Sequence, residues 1–300
     1  MELRQLKYFV KAAETLNFSD ASKALHITQS TLSQQIHQLE DELDAKLFER
    51  NSHSMRLTDL GEAFLPAARK TIIEANASID RIRDIQQLNV GEISIGSTYT
   101  FCPLLKETVL EFIKRYPGVK LNIFCKNMEE LMEMLIKQEI DVALSYKPDI
   151  MPANVESHIL FDNQLSLVVN KNHPLAKYTK IKIADLDKCI FAMPGYGTQA
   201  RSAIDKILLF PDFTLNVKLE INEINVLLDL VKNTNMVTML SQATANGLPG
   251  LVAIPLDLPG CTMEGSFHLL KDVYRKRITK EFLKLICENR FFGISMMNIF

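Results

Sequence analysis

The sequence predicts an α/β multidomain fold in three parts: a winged helix-turn-helix over residues 1–58, a long linker helix over 59–90, and a two-lobe α/β domain over 91–300. Three observations predict it. Residues 3–43 carry three short amphipathic helical patterns separated by turns; an apolar stripe at seven-residue spacing follows Thr58; and after "NVGE" strands and helices alternate to the end of the chain. With 300 residues, 47% hydrophobic and 23% charged, the chain is long enough for two or three globular domains.

The first helix places Leu3, Leu6, Phe9, Val10 and Ala13 at the period of one buried face and ends near Asn17. Ser19 is the expected cap of a second helix, "SDASKALH", whose Ala21, Ala24 and Leu25 allow close packing. Thr28 caps the third, "QSTLSQQIHQLEDEL". There Leu32, Ile36, Leu39 and Leu43 share a sector, while Ser30, Ser33, Gln34 and His37 lie on the opposite side. A merely solvated face would favour Lys, Glu and Ala, which suit helices better than Ser and Thr. Glutamines and short hydroxyls at the start of the second helix of a helix-turn-helix instead suit base edges and phosphates in a major groove, where Gln bonds bidentately to adenine. The acidic end, "EDEL", is expected to lie away from a duplex. Leu47–Arg50 and Met55–Thr58 read as a two-stranded wing turning at Asn51–Ser54, with Arg50 and Arg56 beside the turn as candidate backbone contacts or as plain solvated charge.

Thr58 caps the long helix, whose apolar positions include Leu65, Ile72, Ile79, Ile82 and Ile85. Pro66 within it is expected to kink the helix or delay its start. A stripe of that length exceeds what a small wing domain can cover, so a second copy of the chain is the expected partner.

In the last part, strands are expected at 93–97, 120–124, 142–145, 166–169, 190–193, 217–220, 237–240 and 265–270, with helices at 103–115, 128–138, 198–209, 223–233 and 279–290. The alternation implies largely parallel sheets. Interruptions at Leu160–Gln164 and Met263–Gly265 suggest two lobes, 91–162 with 266–300 and 163–265, and a cleft between them suited to a small molecule.

Charge and cysteine usage exclude other classes. Net charge is −2, and residues 1–58 hold seven Lys/Arg against eight Asp/Glu, so nucleic-acid binding must come from placement rather than bulk charge. Cys102, Cys125, Cys189, Cys261 and Cys287 form no CxxC pair and no metal spacing, which predicts reduced thiols, no zinc and no cofactor. The apolar runs fall short of the roughly 18 residues a membrane span needs, and "MELRQLKYFVKAAE" lacks signal-peptide form, so a cytoplasmic location and no membrane partner are expected. No GxSxG, HExxH or phosphate-binding glycine loop points to an enzyme.

At this point "FVKAAETLNFSDASKALHITQSTLSQQIHQLEDELDAKLFERNSHSMRLTDLGEAFL" resembles the N-terminal domain of LysR-type transcriptional regulators, and "GEISIGS", "LLKETVLEFIKRYPGVKLNI" and "LSLVVNKNHPLA" extend the resemblance along the whole chain. "GYGTQARSAID" and "EINEINVLLDLVKNTNMVTML" are similar to the branch holding the cyanate-operon regulator. The resemblance implies a homodimer or homotetramer joined by linker helices, double-stranded promoter DNA as partner, RNA polymerase as a further candidate partner, and a small-molecule, anionic co-inducer between periplasmic-binding-protein-like lobes. It assigns Gln29, Ser30, Thr31, Ser33, Gln34 and His37 to the recognition face and Arg50 to the wing contact, with Thr28 as cap or phosphate contact; Arg56 remains a candidate from its place beside the wing turn. For the effector it implies Ser97, Thr98 and Thr100 at a strand-to-helix turn, Pro148 in "YKPD", Gly197, Thr198 and Gln199 opening a second-lobe helix, and Asn225 beside Asn222 and Glu223. Glu223 would discourage an anion unless it points away. Two departures from the family's pattern are Asn235 and Ser241 in "NTNMVTMLSQA", and the apolar terminus "FFGISMMNIF" is a candidate packing segment or frayed tail. Two other readings stay open: thiol or oxidant sensing through Cys102, whose place at a helix start would lower its pKa, and an enzyme or solute binder fused to a DNA-binding head.

Overall fold

The structure, a computed structural model, describes residues 1–51, 54–86, 90–148, 150–187, 189–196, 198–208, 214–245, 248–258 and 260–288. The tip of the wing turn, Asp149, Gly197 and the apolar C-terminus lie outside them. Two compact units are present, Met1–Leu88 and Asn89–Phe300.

The first unit packs α1 (Leu3–Thr15), α2 (Phe18–Ala24) and α3 (Gln29–Leu43) around Leu6, Phe9, Leu32, Ile36 and Leu39, each at most 2% exposed. The cap of α2 is Asn17 rather than Ser19. Asn17 Oδ1 accepts the Ser19 and Asp20 amides at 2.8 and 3.3 Å, which starts the helix at Phe18 and buries that ring. His26, at φ +55°, takes the left-handed position that ends the turn between α2 and α3. The wing is an antiparallel pair, β1 (Phe48–Asn51) and β2 (Ser54–Leu57), registered Phe48 to Leu57. Phe48 reaches Phe9 and Phe18, with ring centroids 5.5 and 5.6 Å apart, and so roots the wing in the helical core.

Helix α4 (Asp59–Ile85) starts at its Thr58 cap, whose hydroxyl accepts the Gly61 amide at 3.0 Å, and runs through Pro66 without a delayed start. Gly61 is needed there, since a Cβ would stand 2.2 Å from the Leu47 carbonyl oxygen. Leu65 and Ile72 lean on the core, whereas Ile79, Ile82 and Ile85 are exposed.

The second unit contains β3 (Gly91–Ser97), α5 (Cys102–Arg115), β4 (Val119–Cys125), α6 (Met128–Ile136), β5 (Val142–Tyr146) and the sixteen-residue β6 (Val155–Asn170). It continues with β7 (Ile190–Pro194), α7 (Gln199–Leu208), β8 (Asn216–Ile221), α8 (Ile224–Asn233), β9 (Thr238–Ser241), the short α9 (Gln242–Ala245), β10 (Leu251–Pro255), β11 (Thr262–Leu270) and α10 (Arg277–Glu288). One seven-stranded sheet runs β10-β6-β11-β5-β3-β4 with β9 also on β6, and β7 and β8 form a separate parallel pair. The sheet is mixed, which corrects the expectation of largely parallel strands: β3 is parallel to β4 and β5, but β5, β11, β6, β10 and β9 join antiparallel. The reason is β6. It does not break at Leu160–Gln164 but runs straight through, paired first with β11 and then with β9 and β10. Polar Asp162–Gln164 interrupts its apolar pattern without ending the strand, because Asn163 is 8% exposed and donates to the Tyr146 hydroxyl at 2.8 Å. The β6–β11 register shifts at Gly265/Ser266, where a Cβ on Gly265 would meet the Phe161 ring at 2.5 Å.

Candidate nucleic-acid and effector sites

The exposed side of α3 begins with three hydroxyls. Thr28 Oγ1 accepts the Thr31 amide at 3.1 Å and lies 2.9 and 2.8 Å from the hydroxyls of Ser30 and Thr31. Gln29 is exposed and its carbonyl oxygen accepts from the Ser19 hydroxyl at 3.1 Å, which ties the start of α3 to α2. Gln34 and His37 are also exposed and Ser33 is half-buried, so Ser30, Ser33, Gln34 and His37 lie away from Leu32, Ile36 and Leu39, while Gln29 and Thr31 are exposed at the helix start. His37 Nδ1 stands 3.6 Å from Asp41 and 3.4 Å from Lys46 Nζ. Arg56 is exposed but paired, its Nε donating to Glu49 across the wing at 2.7 Å. The Arg50 side chain lies outside the described atoms.

Glu40, the first residue of "EDEL", has a structural task that the sequence did not announce. It is 4% exposed, and its Oε1 accepts the amides of Leu47 and Phe48 at 2.8 and 3.2 Å. A carboxylate on α3 therefore fixes the first residues of the wing.

In the second unit a cleft of ≈ 540 Å³ opens where β3, β4, β5, β7, β8 and β9 end. Four helices begin on its walls: α5, α6, α7 and α8 contribute Cys102, Met128, Ala200 and Ile224. Helix N-termini carry unpaired amides and partial positive charge, and strand C-termini in α/β folds are where ligands bind. Thr98 and Thr100, expected here on the family resemblance, and Thr198 and Asn225, expected here at the starts of second-lobe helices, all line the cleft. Thr98 Oγ1 is buried with no hydrogen-bond partner among the described residues. Thr198 Oγ1 donates to the Gly195 carbonyl at 3.0 Å and accepts the Arg201 amide at 3.3 Å. Asn225 Oδ1 accepts from the Tyr99 hydroxyl at 2.6 Å.

Two expected residues sit elsewhere. Ser97 is fully buried, with its hydroxyl donating to the Thr98 carbonyl at 3.0 Å, and Pro148 lines an adjoining cavity of ≈ 900 Å³ that shares Met128, Tyr146 and Met263 with the cleft. Gly197 and the Gln199 side chain lie outside the described atoms.

Sequence reasoning missed a hydroxyl network on the cleft floor. Thr244 Oγ1 lies 3.0 Å from Thr100 and 2.7 Å from Ser241. Burial pushes the Tyr146 phenol up to about 12, and hydrogen bonds from Ser241, Asn163 and Thr100 offset this only in part, so it stays neutral. These groups come from β5, β6, β9, α9 and the turn after β3, and no local motif announces that they meet. Burial and the neighbouring Cys125 push the Cys102 thiol up to about 11, the reverse of the lowering expected from its helix start. Among the described residues no group of three or more His, Cys, Asp or Glu could hold a metal, and no helix is long and apolar enough to cross a membrane.

Residues 3–62 match the family described as "Bacterial regulatory helix-turn-helix protein, lysR family", and residues 86–289 match "LysR substrate binding domain". The transcriptional dual regulator GltC of Bacillus subtilis is 32% identical over 265 residues, 86% of this chain and 87% of GltC. Among solved structures, a full-length OxyR variant from Pseudomonas aeruginosa aligns over 98% of this chain and 96% of its own, with TM-score 0.70 at 22% identity. Full-length CbnR complexed with its target DNA covers 96% of this chain and 99% of its own, with TM-score 0.63 at 23% identity.

Proposed function

Because the chain belongs to the lysR family of DNA-binding transcriptional regulators, we propose that it binds promoter DNA as a homo-oligomer through paired α3 helices and responds to a small ligand bearing an anionic group in the cleft of its second unit. The observation that carries the DNA half is the division of α3 into a buried Leu32-Ile36-Leu39 side and an exposed side of glutamines and hydroxyls. Gln34, whose carboxamide has no partner among the described residues, reads a base edge, and the amides at the start of α3 take a phosphate. Gln29 reads a second base once the Ser19 bond yields.

Exposed Ile79, Ile82 and Ile85 on α4 support pairing with a second copy, which doubles every contact to the duplex. On this reading residues 1–58 read DNA, 59–90 join subunits and 91–300 bind effector, with lobes 91–162 with 266–300 and 163–265 joined by β6 and β11. The site of action is the cytoplasm, where the promoter is, with RNA polymerase as the downstream partner. The orphaned Thr98 hydroxyl and the helix N-termini around it support an anionic group in the cleft. The branch resemblance makes cyanate one anion to test.

The test is a gel-shift titration of the full-length protein on the promoter beside its own gene and on random DNA. Gln29→Ala with Gln34→Ala is expected to reduce the ratio of specific to non-specific affinity by roughly tenfold or more while oligomeric state is kept. Unchanged selectivity removes base readout from α3.

A further inference from the structure

We propose that Cys102 and Cys125 form a two-thiolate site for a soft monovalent cation of the copper(I) class on the wall of the second unit's cleft, with the Met128 thioether as a third donor. The site does not depend on the anionic-ligand reading of the cleft and stands or falls without it.

The fold brings the two thiols together at the ends of neighbouring strands. Cys125 is the last residue of β4 and the register partner of Ser97, the last residue of β3. Cys102 opens α5, and its Sγ lies 4.0 Å from the carbonyl oxygen of Thr98, the residue after Ser97. The two side chains meet there: the Cys102 and Cys125 thiols are hydrogen-bonded to each other, and both line the cleft. Two metal–sulfur bonds of about 2.3 Å in line span about 4.6 Å, close to the separation of thiols in hydrogen-bonding contact. Cys125 is exposed and Cys102 half-buried, so a cation arrives at the outer sulfur and is then shared with the inner one.

The surroundings select the class of metal. Among the described residues no group of three or more His, Cys, Asp or Glu could hold a metal, so the pair lacks the further ligands that a tetrahedral zinc site needs. Glu130, in the first turn of α6, is occupied by the Lys126 ammonium at 3.0 Å and the Asn127 amide at 3.3 Å. Sulfur is what remains. Met128, the first residue of α6, lines the cleft beside the two thiols, and Met263 lines it too. Thiolates and thioethers select copper(I) over harder cations, and an ion with a closed d shell is satisfied by two or three sulfur donors. Two thiolates around one monovalent cation leave one net negative charge. The starts of α5 and α6, at Cys102 and Met128, offset it with their partial positive charge.

Binding exchanges protons for metal. Burial, and then the Cys125 thiol beside it, push the Cys102 thiol up to about 11, so at neutral pH Cys102 keeps its proton until a cation displaces it. Each S–H bond that gives way to a sulfur–metal bond releases its proton to water, and the cation stays monovalent throughout, so no oxidant or reductant takes part. The same protonation holds Cys102 inert towards oxidants and alkylating agents, which act on thiolates. A metal is the reagent it leaves open, because the bonds to sulfur offset the cost of deprotonation.

The experiment titrates the reduced full-length protein anaerobically with copper(I) against a coloured copper(I) chelator, with silver(I) as a redox-silent second probe and zinc(II) as the contrast. One equivalent of copper(I) is expected to leave the chelator for the protein, and silver(I) to displace it. Cys125→Ser, at an exposed position, and Cys102→Ala are each expected to weaken uptake at least about 100-fold, and the double variant no further, because neither thiol holds the cation alone. Met128→Leu is expected to cost roughly tenfold, and zinc(II) to bind at least about 100-fold more weakly than copper(I). Undiminished uptake in Cys125→Ser assigns the metal to adventitious binding at other cysteines and overturns the site. Zinc(II) held as tightly as copper(I), or no copper(I) drawn from the chelator, overturns it as well, and undiminished affinity in Met128→Leu strikes the third donor. If Cys102→Ala fails to fold, Cys125→Ser decides alone. A cleft that binds no small anion leaves each of these outcomes unchanged, so the two readings of the cleft fail separately.

Discussion

Replacing Glu40 by alanine tests whether the wing is held by α3. Glu40 Oε1 takes the amides of Leu47 and Phe48, and its Oε2 lies 3.2 Å from Lys46 Nζ. Lys46 is well exposed, so its pair contributes little. The two amides decide the size of the effect. Each hydrogen bond to a charged acceptor contributes about 1.5–3 kcal/mol, and a buried amide left without an acceptor costs about 1–3 kcal/mol. Partial access of water to the wing lowers the sum, giving about 2–5 kcal/mol for Glu40→Ala. Glu40→Gln retains a carbonyl oxygen for the same amides and should cost about 1 kcal/mol. Hydrogen exchange by mass spectrometry on the full-length protein reads this directly. Peptides covering Leu47 and Phe48 should lose protection by about 30-fold or more in the alanine variant, while peptides from β6 stay unchanged. Promoter affinity should fall in parallel, since α3 and the wing no longer share a fixed register. Undiminished protection at Leu47 and Phe48 in Glu40→Ala would refute the strut, and equal loss in both variants would show that charge rather than the paired amides does the holding.

Other expectations follow from buried groups. His268 is fully buried, its Nε2 3.0 Å from the Ser145 hydroxyl, and burial pushes its imidazole down to about 4. The unfolded chain takes up that proton near the ordinary value of about 6.5, so stability is full above pH 6.5 and declines by about 3 kcal/mol as pH falls towards 4. Urea denaturation of the second unit at pH 7 and 4.5 should show the loss, and His268→Gln should remove most of it; an undiminished loss in the variant assigns it to other groups. Gly61→Ala forces a methyl against the Leu47 carbonyl and should cost about 3 kcal/mol in the first unit, read as a lower melting temperature; an unchanged value means the start of α4 shifts freely. A maleimide at pH 7.5 should label exposed Cys125 at least about tenfold faster than Cys102, whose thiol burial keeps protonated. Fast labelling of Cys102 would revive thiol sensing.

The first unit was legible because its signals are local. Thr28 and Thr58 cap helices within three residues of themselves, and Leu32, Ile36 and Leu39 report their face through spacing alone. Where two capping side chains stood close together the choice went wrong, since only geometry distinguishes Asn17 from Ser19. In the second unit the misses share one cause: polar residues whose partners are far along the chain. Asn163 looked like the end of a strand because its partner, Tyr146, belongs to another. Ser241 looked like a departure from a family pattern, yet it bonds to Thr244 and, through Thr244, to Thr100, which is 144 residues from Thr244. Local sequence marked the turns that begin helices and therefore found Thr98 and Thr198. It had no means of finding the floor on which those turns stand.

The charge pattern of the first unit bears on how the proposed DNA reading is built. Arg4, Lys11, Lys23 and Arg56 each stand within 4 Å of an exposed or half-exposed carboxylate, and those pairs are surface pairs of small net value. A phosphate can therefore replace a carboxylate at low cost, but each exchange also frees an acid beside the duplex, so little net attraction accumulates per subunit. On the proposed reading, affinity then comes from elements that carry no such penalty: the amides at the start of α3, the neutral glutamines and hydroxyls behind them, and their duplication in the proposed pairing through α4. Neutral contacts discriminate between bases better than they attract phosphate. On the proposed reading such a chain binds weakly as a single copy and selectively as a pair.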